Sequence, residues 1–409
     1  MQDTYLLLNE GYDDNIYIES SYGSYIYIDK KKYVDLSSCA GSQILGYSNN
    51  KVNKIYREII KKKISNCALP NVYAKEFAYT LNKILKNFSK YIFCNSGSEA
   101  IVKGLRIARS INNKKLIINT TGSWHGSVNE TLYAAKKNLA LKKLSDGLPK
   151  FNEKYLKFIP YGNILISKKI LDKYKKNINC ILLEPIQGSL PTDNNVNYIR
   201  FLESYCKKNN IIFFLDEMIT GLRIDGSSFQ NYFNVKSDIS IFGKSFGGGF
   251  PLGIVAINKK LDNKIKKKKL KVYFGGTFSG NSINMYIGNK ITKIINENKQ
   301  IIENINKKTN FFKNSINNFA IKNNLDIRVY NFMSMARIIF SRKKISDRVQ
   351  RDFFESKKIK KIEYFKKYLF KKKIYYPKNG ILFLSYSLKH KDLNYTIQTI
   401  KKALNLFFK

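Results

Sequence analysis

The chain has 409 residues, 44% of them hydrophobic and 14% aromatic, and its 73 lysines and arginines against 30 acids give a formal charge of +43. Such a composition describes a folded protein of two or three domains, not a disordered one, and no apolar run approaches the roughly 18–20 residues a membrane helix needs. Five cysteines without CxxC spacing (Cys39, Cys67, Cys94, Cys180, Cys206) and only two histidines (His125, His390) argue against a zinc site and for reduced thiols in a cytoplasmic protein.

The basic excess is mostly lysine and dispersed, with runs only at Ile265–Lys271 and Ser356–Lys373, and it accompanies abundant Asn and Ile. Those three residues share A/T-rich codons. No zinc-finger or RNA-recognition signature goes with them, so a solvated basic surface is expected and nucleic-acid binding is not.

The first residues, MQDTYLLLNEGYDDN, have no basic region and no small-residue cleavage site, so no signal peptide is expected. Short strands bounded by turn residues are expected at Asn15–Glu19, Ser24–Asp29 and Tyr33–Leu36. Helical stretches follow at Val52–Ile64 and Tyr73–Asn87. Apolar runs then alternate with helical segments: Lys90–Cys94, Leu116–Asn119, Cys180–Leu183, Ile211–Leu215 and Ile239–Phe242. Short, nearly all-apolar strands between helices imply an α/β fold with a largely parallel sheet covered on both faces. One long helix is expected from near Ser282 toward Ile305. Strands at Ser334–Phe340 and Ile381–Ser385 belong to a smaller C-terminal domain.

In open α/β sheets, ligand-binding residues collect beyond the carboxyl ends of strands. Cys94 is followed by Asn95-Ser96-Gly97-Ser98-Glu99-Ala100, Leu183 by Glu184-Pro185-Ile186-Gln187-Gly188, Leu215 by Asp216-Glu217, and Phe242 by Gly243-Lys244. A Ser/Gly turn, acids and one lysine would thus converge on one rim. Small residues opening a helix leave backbone N–H groups for an anion such as phosphate, although the same residues could simply cap the helix. Asp216 closes five apolar residues, where a carboxylate needs a cationic or hydrogen-bonding partner; a protonated pyridine nitrogen is one, and capping the next helix is the plainer alternative. Lys244 follows an apolar strand and precedes Gly247-Gly248-Gly249. A lysine desolvated there becomes a nucleophile toward aldehydes, and the glycines allow close approach of a bulky cofactor; a surface lysine beside a flexible loop is the alternative.

Six segments in order carry a resemblance: NSGSEA (Asn95–Ala100), GSWHG (Gly122–Gly126), EPIQG (Glu184–Gly188), DEMITGLR (Asp216–Arg223), SDISIFGKSFGGGFPLG (Ser237–Gly253) and GGTFSGN (Gly275–Asn281). From about Ile16 to Phe407 the chain resembles the class-III aminotransferases, a fold-type-I family dependent on pyridoxal 5′-phosphate. Within the family it looks closest to glutamate-1-semialdehyde 2,1-aminomutase and its aminotransferase relatives. The resemblance implies a large domain with a mostly parallel seven-stranded sheet over residues 51–300. A small domain would be built from an N-terminal segment, 1–50, and a C-terminal part, 301–409. It implies that Ser96, Gly97 and Ser98 bind the cofactor phosphate, that Trp124 stacks on the pyridine ring with His125 following it, and that Asp216 pairs with the ring nitrogen. Lys244 would hold the cofactor as a Schiff base. Glu184 and Gln187 would lie near the cofactor 3-hydroxyl and the substrate, and Thr277 would reach the phosphate of a neighbouring subunit in a homodimer. An amino donor and a carbonyl acceptor are the implied small-molecule partners.

Departures from the aminomutase pattern favour an aminotransferase of the same group. Ile219 stands where ornithine- and GABA-type transaminases have Gln and the aminomutase an apolar residue, which points to the aminomutase branch. Yet EPIQGSLP differs from the aminomutase run. Met1–Asn15 contains no arginine to take the substrate carboxylate, and Ser38-Cys39-Ala40-Gly41-Ser42 replaces a tryptophan-bearing stretch. The nearest cations, Lys30 to Lys32, read as an exposed turn. Were the chain an aminomutase, a bidentate clamp would have to come from elsewhere, with Arg337 and Arg342 the candidates. A non-catalytic basic binding protein on the same fold is the remote alternative, disfavoured by the intact Lys244, Asp216 and phosphate turn.

Overall fold

A computed structural model describes residues 16–409. The readings of Met1–Asn15, on a signal segment, a carboxylate-binding arginine and the start of a first strand, lie outside those residues.

At the centre is a seven-stranded sheet, its strands here β1 to β7 in chain order: Lys90–Cys94, Leu116–Thr120, Leu156–Ile159, Ile178–Leu183, Ile212–Asp216, Ile239–Gly243 and Gly253–Ile257. Their spatial order is β1-β7-β6-β5-β4-β2-β3. Neighbours from β6 to β3 run parallel, and β7 runs antiparallel to β6 and β1. Every residue of β2, β4, β5, β6 and β7 is buried. Helices on both faces leave no solvated side, so these strands read as unbroken apolar runs instead of alternating ones.

The sequence reading omits β3 and β7, for different reasons. Lys157 interrupts the short β3. β7 returns from β6 through the single turn Lys244–Gly247 and a glycine-rich loop, with no helix between, so the strand–helix alternation that marks the other strands is missing. The antiparallel return has a consequence for function. It brings Gly253 at the start of β7 beside Cys94 and Gly243 at the ends of β1 and β6.

Two other expectations need correction. The single helix from Ser282 is two, Ser282–Glu297 and Lys299–Lys322, broken at Asn298, whose side-chain amide donates back to the Ile294 carbonyl at 2.7 Å. Asparagine competes with helical backbone bonding in this way. The first strand is Ser20–Tyr22, not Asn15–Glu19, although the Glu19 N–H already bonds the Tyr27 carbonyl.

Ser20–Tyr22, Tyr25–Ile28 and Lys31–Asp35 form an antiparallel meander, and Ile374–Tyr375 adds to it in parallel. N- and C-terminal segments thus share one sheet. A second small sheet joins Arg328–Phe332, Met335–Ile339 and Leu382–Phe383. Helices Val72–Ile84 and Ser282–Glu297 seal the main core through Phe77, Leu81, Ile287 and Ile291. Among the described residues no helix is long and apolar enough to cross a membrane.

Candidate active site

The carboxyl ends of β1, β2, β4, β5 and β6 and the amino end of β7 meet at one edge of the sheet. Gly97, Ser98, Ile101, Trp124, His125, Gly126, Glu184, Asp216, Met218, Ile219, Ile241 and Lys244 line a cavity there of about 190 Å3. A larger cleft, about 560 Å3, lies at the opposite edge against the amino ends of β5 and its neighbours, and holds none of the sequence-derived site residues.

Beyond β1 the chain turns into the helix Gly97–Asn112. Ser96 caps it, its hydroxyl accepting the Glu99 N–H at 3.1 Å, so that side chain is spent on the helix and Ser96 does not line the cavity. Gly97 and Ser98 follow in the first turn, where backbone N–H groups have no helical acceptor. The Ser98 hydroxyl accepts the Ser127 N–H at 3.0 Å. Glycine is required opposite: a Cβ on Gly253 would sit 2.1 Å from the Ser96 carbonyl oxygen, so only Gly lets β7 begin against this turn.

Asp216 ends β5 and is 5% exposed. Its Oδ1 accepts the Met218 N–H at 3.1 Å, and its Oδ2 lies 2.7 Å from His125 Nδ1. The other ring nitrogen, Nε2, lies 3.1 Å from Asn119 Oδ1, which already accepts the Thr120 N–H at 2.8 Å. Asn119 therefore presents its oxygen to Nε2, and the ring sets its other nitrogen, Nδ1, against the buried acid.

Lys244 starts the turn after β6 with φ +44°, in the left-handed region that costs a non-glycine residue about 1–3 kcal/mol. The strained backbone sets its half-buried side chain into the cavity. Burial lowers its pKa, against the opposing pull of Glu184 and Asp216. Glu184, after β4, accepts the Trp124 N–H at 2.9 Å; burial foremost, then the Asp216 charge, raises its pKa. Trp124, the chain's single tryptophan, is 51% exposed, which places it at the cavity mouth and not in the core.

Other sequence candidates stand elsewhere. Gln187 is buried outside the cavity wall, donating to the Thr121 carbonyl at 2.8 Å and the Ser123 hydroxyl at 3.2 Å, so it braces the loop that carries Trp124 and His125. Thr277 is exposed, beside a separate hollow lined by Leu69, Asn71 and Phe93. Lys31 and Lys32 open a strand instead of lying in a turn. Arg342 is exposed and bonded to Asn324. Arg337 is buried against Asn379 and Glu355, with its Nε unpartnered, and does not line the cavity. Glu217, next to Asp216, faces away from the rim.

Sequence reading also missed Arg223. It is fully buried without a carboxylate, donating to the Gly41 carbonyl, to Ser334 Oγ at 2.8 Å and to Ser245 Oγ at 3.2 Å, with its guanidinium 4.8 Å from the Phe383 ring. It ties the N-terminal turn, the residue after Lys244 and the C-terminal segment together. An arginine seven residues beyond a strand carries no local signal of this.

Residues 8–344 match the family described as "Aminotransferase class-III". Glutamate-1-semialdehyde 2,1-aminomutase of Wigglesworthia glossinidia brevipalpis is 32% identical over 406 residues, covering 94% of this chain and 89% of its own. The protein of the same name from Methanosphaera stadtmanae is 28% identical, over 96% and 92%. Among solved structures, an omega-transaminase from Sphaerobacter thermophilus superposes with a TM-score of 0.89 at 17% identity, over 97% of this chain and 92% of that one. A glutamate-1-semialdehyde aminomutase from Pseudomonas aeruginosa gives 0.84 at 12%, over 96% and 88%. At these identities the two structures establish the fold.

Proposed function

The chain belongs to the class-III aminotransferases, and on that premise we propose that it moves an amino group from a small-molecule donor to a separate carbonyl acceptor, with pyridoxal 5′-phosphate attached at Lys244. The observation that carries this reading is the single cavity in which Lys244, Asp216, Glu184 and the Gly97–Ser98 turn converge. The cavity fits such a cofactor. The helix start at Gly97 and Ser98 offers N–H groups to its phosphate, and a Cβ on Gly126 would fill that end, 2.3 Å from the Ser98 hydroxyl. When bound, the cofactor supplies an aldehyde and a ring that takes up negative charge.

The chain's own residues do the rest. Ser96 shapes the turn as its cap, and Gly97 and Ser98 hold the phosphate. Asp216 holds the ring nitrogen, His125 fixes Asp216, and Trp124 covers the ring at the mouth. The Lys244 amine, its pKa lowered by burial, removes and returns the substrate proton. Glu184 would take the 3-hydroxyl side of the cofactor and the substrate, and Gln187 would act from behind, through the loop it braces.

Thr277 would complete the site of a second copy in a homodimer. Exposed Leu69, which lines the same hollow, and Phe278, next to Thr277 in the chain, offer the kind of apolar surface a subunit covers. The shared N- and C-terminal sheet supports a small domain of residues 1–50 and 301–409 beside a large one, 51–300. Five free cysteines suit a cytoplasmic location.

The second reading is the 2,1-aminomutase, favoured by the names of the curated relatives. Against it, Arg57 is the first arginine in the chain. The test is a donor-only reaction of the holoenzyme with glutamate or alanine, beside a 5-aminolevulinate assay on glutamate-1-semialdehyde. Conversion of the cofactor to its amine form with release of free keto acid is expected. Rapid 5-aminolevulinate formation without a released carbonyl compound would make the aminomutase the better reading.

A further inference from the structure

Arg223 is 1% exposed, and among the described residues every partner it has is neutral. Its Nε donates to the Ile219 carbonyl at 3.3 Å and its Nη1 to Ser334 Oγ at 2.8 Å. Its Nη2 donates to Ser245 Oγ at 3.2 Å and to the Gly41 carbonyl, while the guanidinium faces the Phe383 ring. Burying a charge without a counter-ion is costly, so packing alone gives no reason for an arginine here. Burial pulls its pKa down to about 9, which leaves it cationic near neutral pH.

What it joins is strained on both sides. Ser38, Cys39 and Ala40 hold φ of +44°, +51° and +52° in succession, and Lys244 holds +44°. Residues stay in that region only where their surroundings over-determine them. Arg223 supplies the constraint at both turns. The Gly41 carbonyl accepts from Arg223 and also from Ser245 Oγ, at 3.2 Å, so the arginine, Ser245 and the N-terminal turn close one buried ring of contacts beside Lys244. The same ring brings a charge near the lysine amine. Burial foremost lowers the Lys244 pKa; Glu184, Asp216 and the Cys39 thiol oppose it, and Arg223 adds to it. His125, the remaining titratable group lining the cavity, is held against Asp216 at 2.7 Å.

We propose that Arg223 is a positioning residue for Lys244: it clamps the turn that carries the lysine and sets an uncompensated cation beside the amine, which keeps the amine free to accept a proton. This rests on the aminotransferase reading, in which that amine must be neutral to take the substrate proton. Glu184 and Asp216 pull the other way, since nearby carboxylates favour a protonated lysine. A buried arginine counters them from outside the cavity, which it does not line, and so leaves the space for cofactor and substrate untouched. Arginine suits the task because its rigid fork spreads donors over separate segments and keeps its charge, whereas lysine carries the charge without the fork.

The experiment labels the amines of the full chain, freed of cofactor, with trace fluorodinitrobenzene over a range of pH and reads Lys244 by peptide mapping. Arg223→Gln should move the midpoint of Lys244 labelling to higher pH by about half a unit or more, because a cation has left its side. Arg223→Lys should keep the wild-type midpoint, yet as holoenzyme lose about fivefold or more in kcat, because the charge stays and the clamp goes. Ser245→Ala should also keep the midpoint and lower kcat by about twofold or more, with KM for the amino donor nearly unchanged. An unmoved midpoint in Arg223→Gln, beside a lowered Tm, would make the arginine a structural tie only and overturn the proposal. Should Arg223→Gln not fold, the other two variants decide, and unchanged kcat in both overturns it. Absence of the borohydride label at Lys244 in the wild-type holoenzyme would instead strike the aminotransferase reading and leave the labelling midpoints standing.

Discussion

Asp216 and Glu217 are consecutive, both buried and both acidic, yet they serve opposite regions of the molecule. Glu217 faces the core side of β5, where Thr220 Oγ1 at 2.9 Å, the Phe229 N–H at 2.6 Å, and the Gln230 side-chain amide at 2.9 Å and N–H at 3.4 Å all donate to it. Asp216 faces the cavity and has two donors, the Met218 N–H and His125. A carboxylate has room for about four hydrogen bonds, so Glu217 is filled by its own chain and Asp216 keeps capacity for something the chain does not supply. Burial alone does not mark a functional acid. Unfilled bonding capacity beside an open cavity does.

The comparison can be broken at several points, and the largest effect belongs to Lys244, across the cavity from Asp216. Lys244→Ala should abolish the borohydride-fixed cofactor label and lose at least the ~10²–10⁴-fold that a positioned acid–base group contributes. Retained turnover with the label on another lysine would sink the assignment of the whole rim. Asp216→Asn should fold and bind cofactor but lose several kcal/mol of barrier lowering, at tenfold per ~1.4 kcal/mol. Near-normal turnover would show that Asp216's spare capacity is not used in the chemistry.

Glu217→Gln should do the reverse. Its amide would face donors, leaving buried groups unsatisfied at about 1–3 kcal/mol each. A lowered Tm with near-normal kcat in the surviving enzyme is the expected pair of results, and an unchanged Tm would show the four-donor cage to be unimportant. His125→Asn probes the partner that Asp216 does have. A loss of about 10–100-fold in kcat, smaller than for Asp216→Asn, would mark His125 as a positioning residue, and equal losses would mean the pair acts as one unit.

The smallest effect is one of pH. Burial holds the Glu184 pKa above the ordinary carboxylate value, so the folded state binds that proton more tightly than the unfolded chain. The stability it lends is complete below the ordinary carboxylate range and is lost as pH rises through its shifted value. Glu184→Gln should flatten the decline of Tm over that interval. Parallel curves for the variant and the wild type would show that Glu184 titrates normally.

Much of this was legible along the chain, for stated reasons. β1, β2, β4, β5 and β6 are short apolar runs between helices, and the residues after them became the rim. The parts that escaped are those without a local signature. β7 lacks a preceding helix. Asn298 breaks a helix through one side-chain bond. Glu217 follows Asp216 at the same strand end, and a sequence cannot say which of the two faces a cavity. Ser96, Gln187 and Thr277 fall in the right segments, but their distance from the cavity depends on hydrogen bonds and surfaces formed with residues far away in the chain.

By itself, then, the sequence determined the strand cores, the turn chemistry after them and the placement of Lys244 and Asp216, because period, burial and glycine punctuation are properties of neighbouring residues. Tertiary structure alone decided that His125, itself held by Asn119, would meet Asp216, and that Arg223 would join Gly41, Ser245 and Ser334. It alone set Arg348 beside Gly122. Each of these joins residues separated by up to 226 positions (Gly122 and Arg348). Their contacts exist only once the sheet order β1-β7-β6-β5-β4-β2-β3 and the docking of the C-terminal segment have brought distant parts of the chain to one rim.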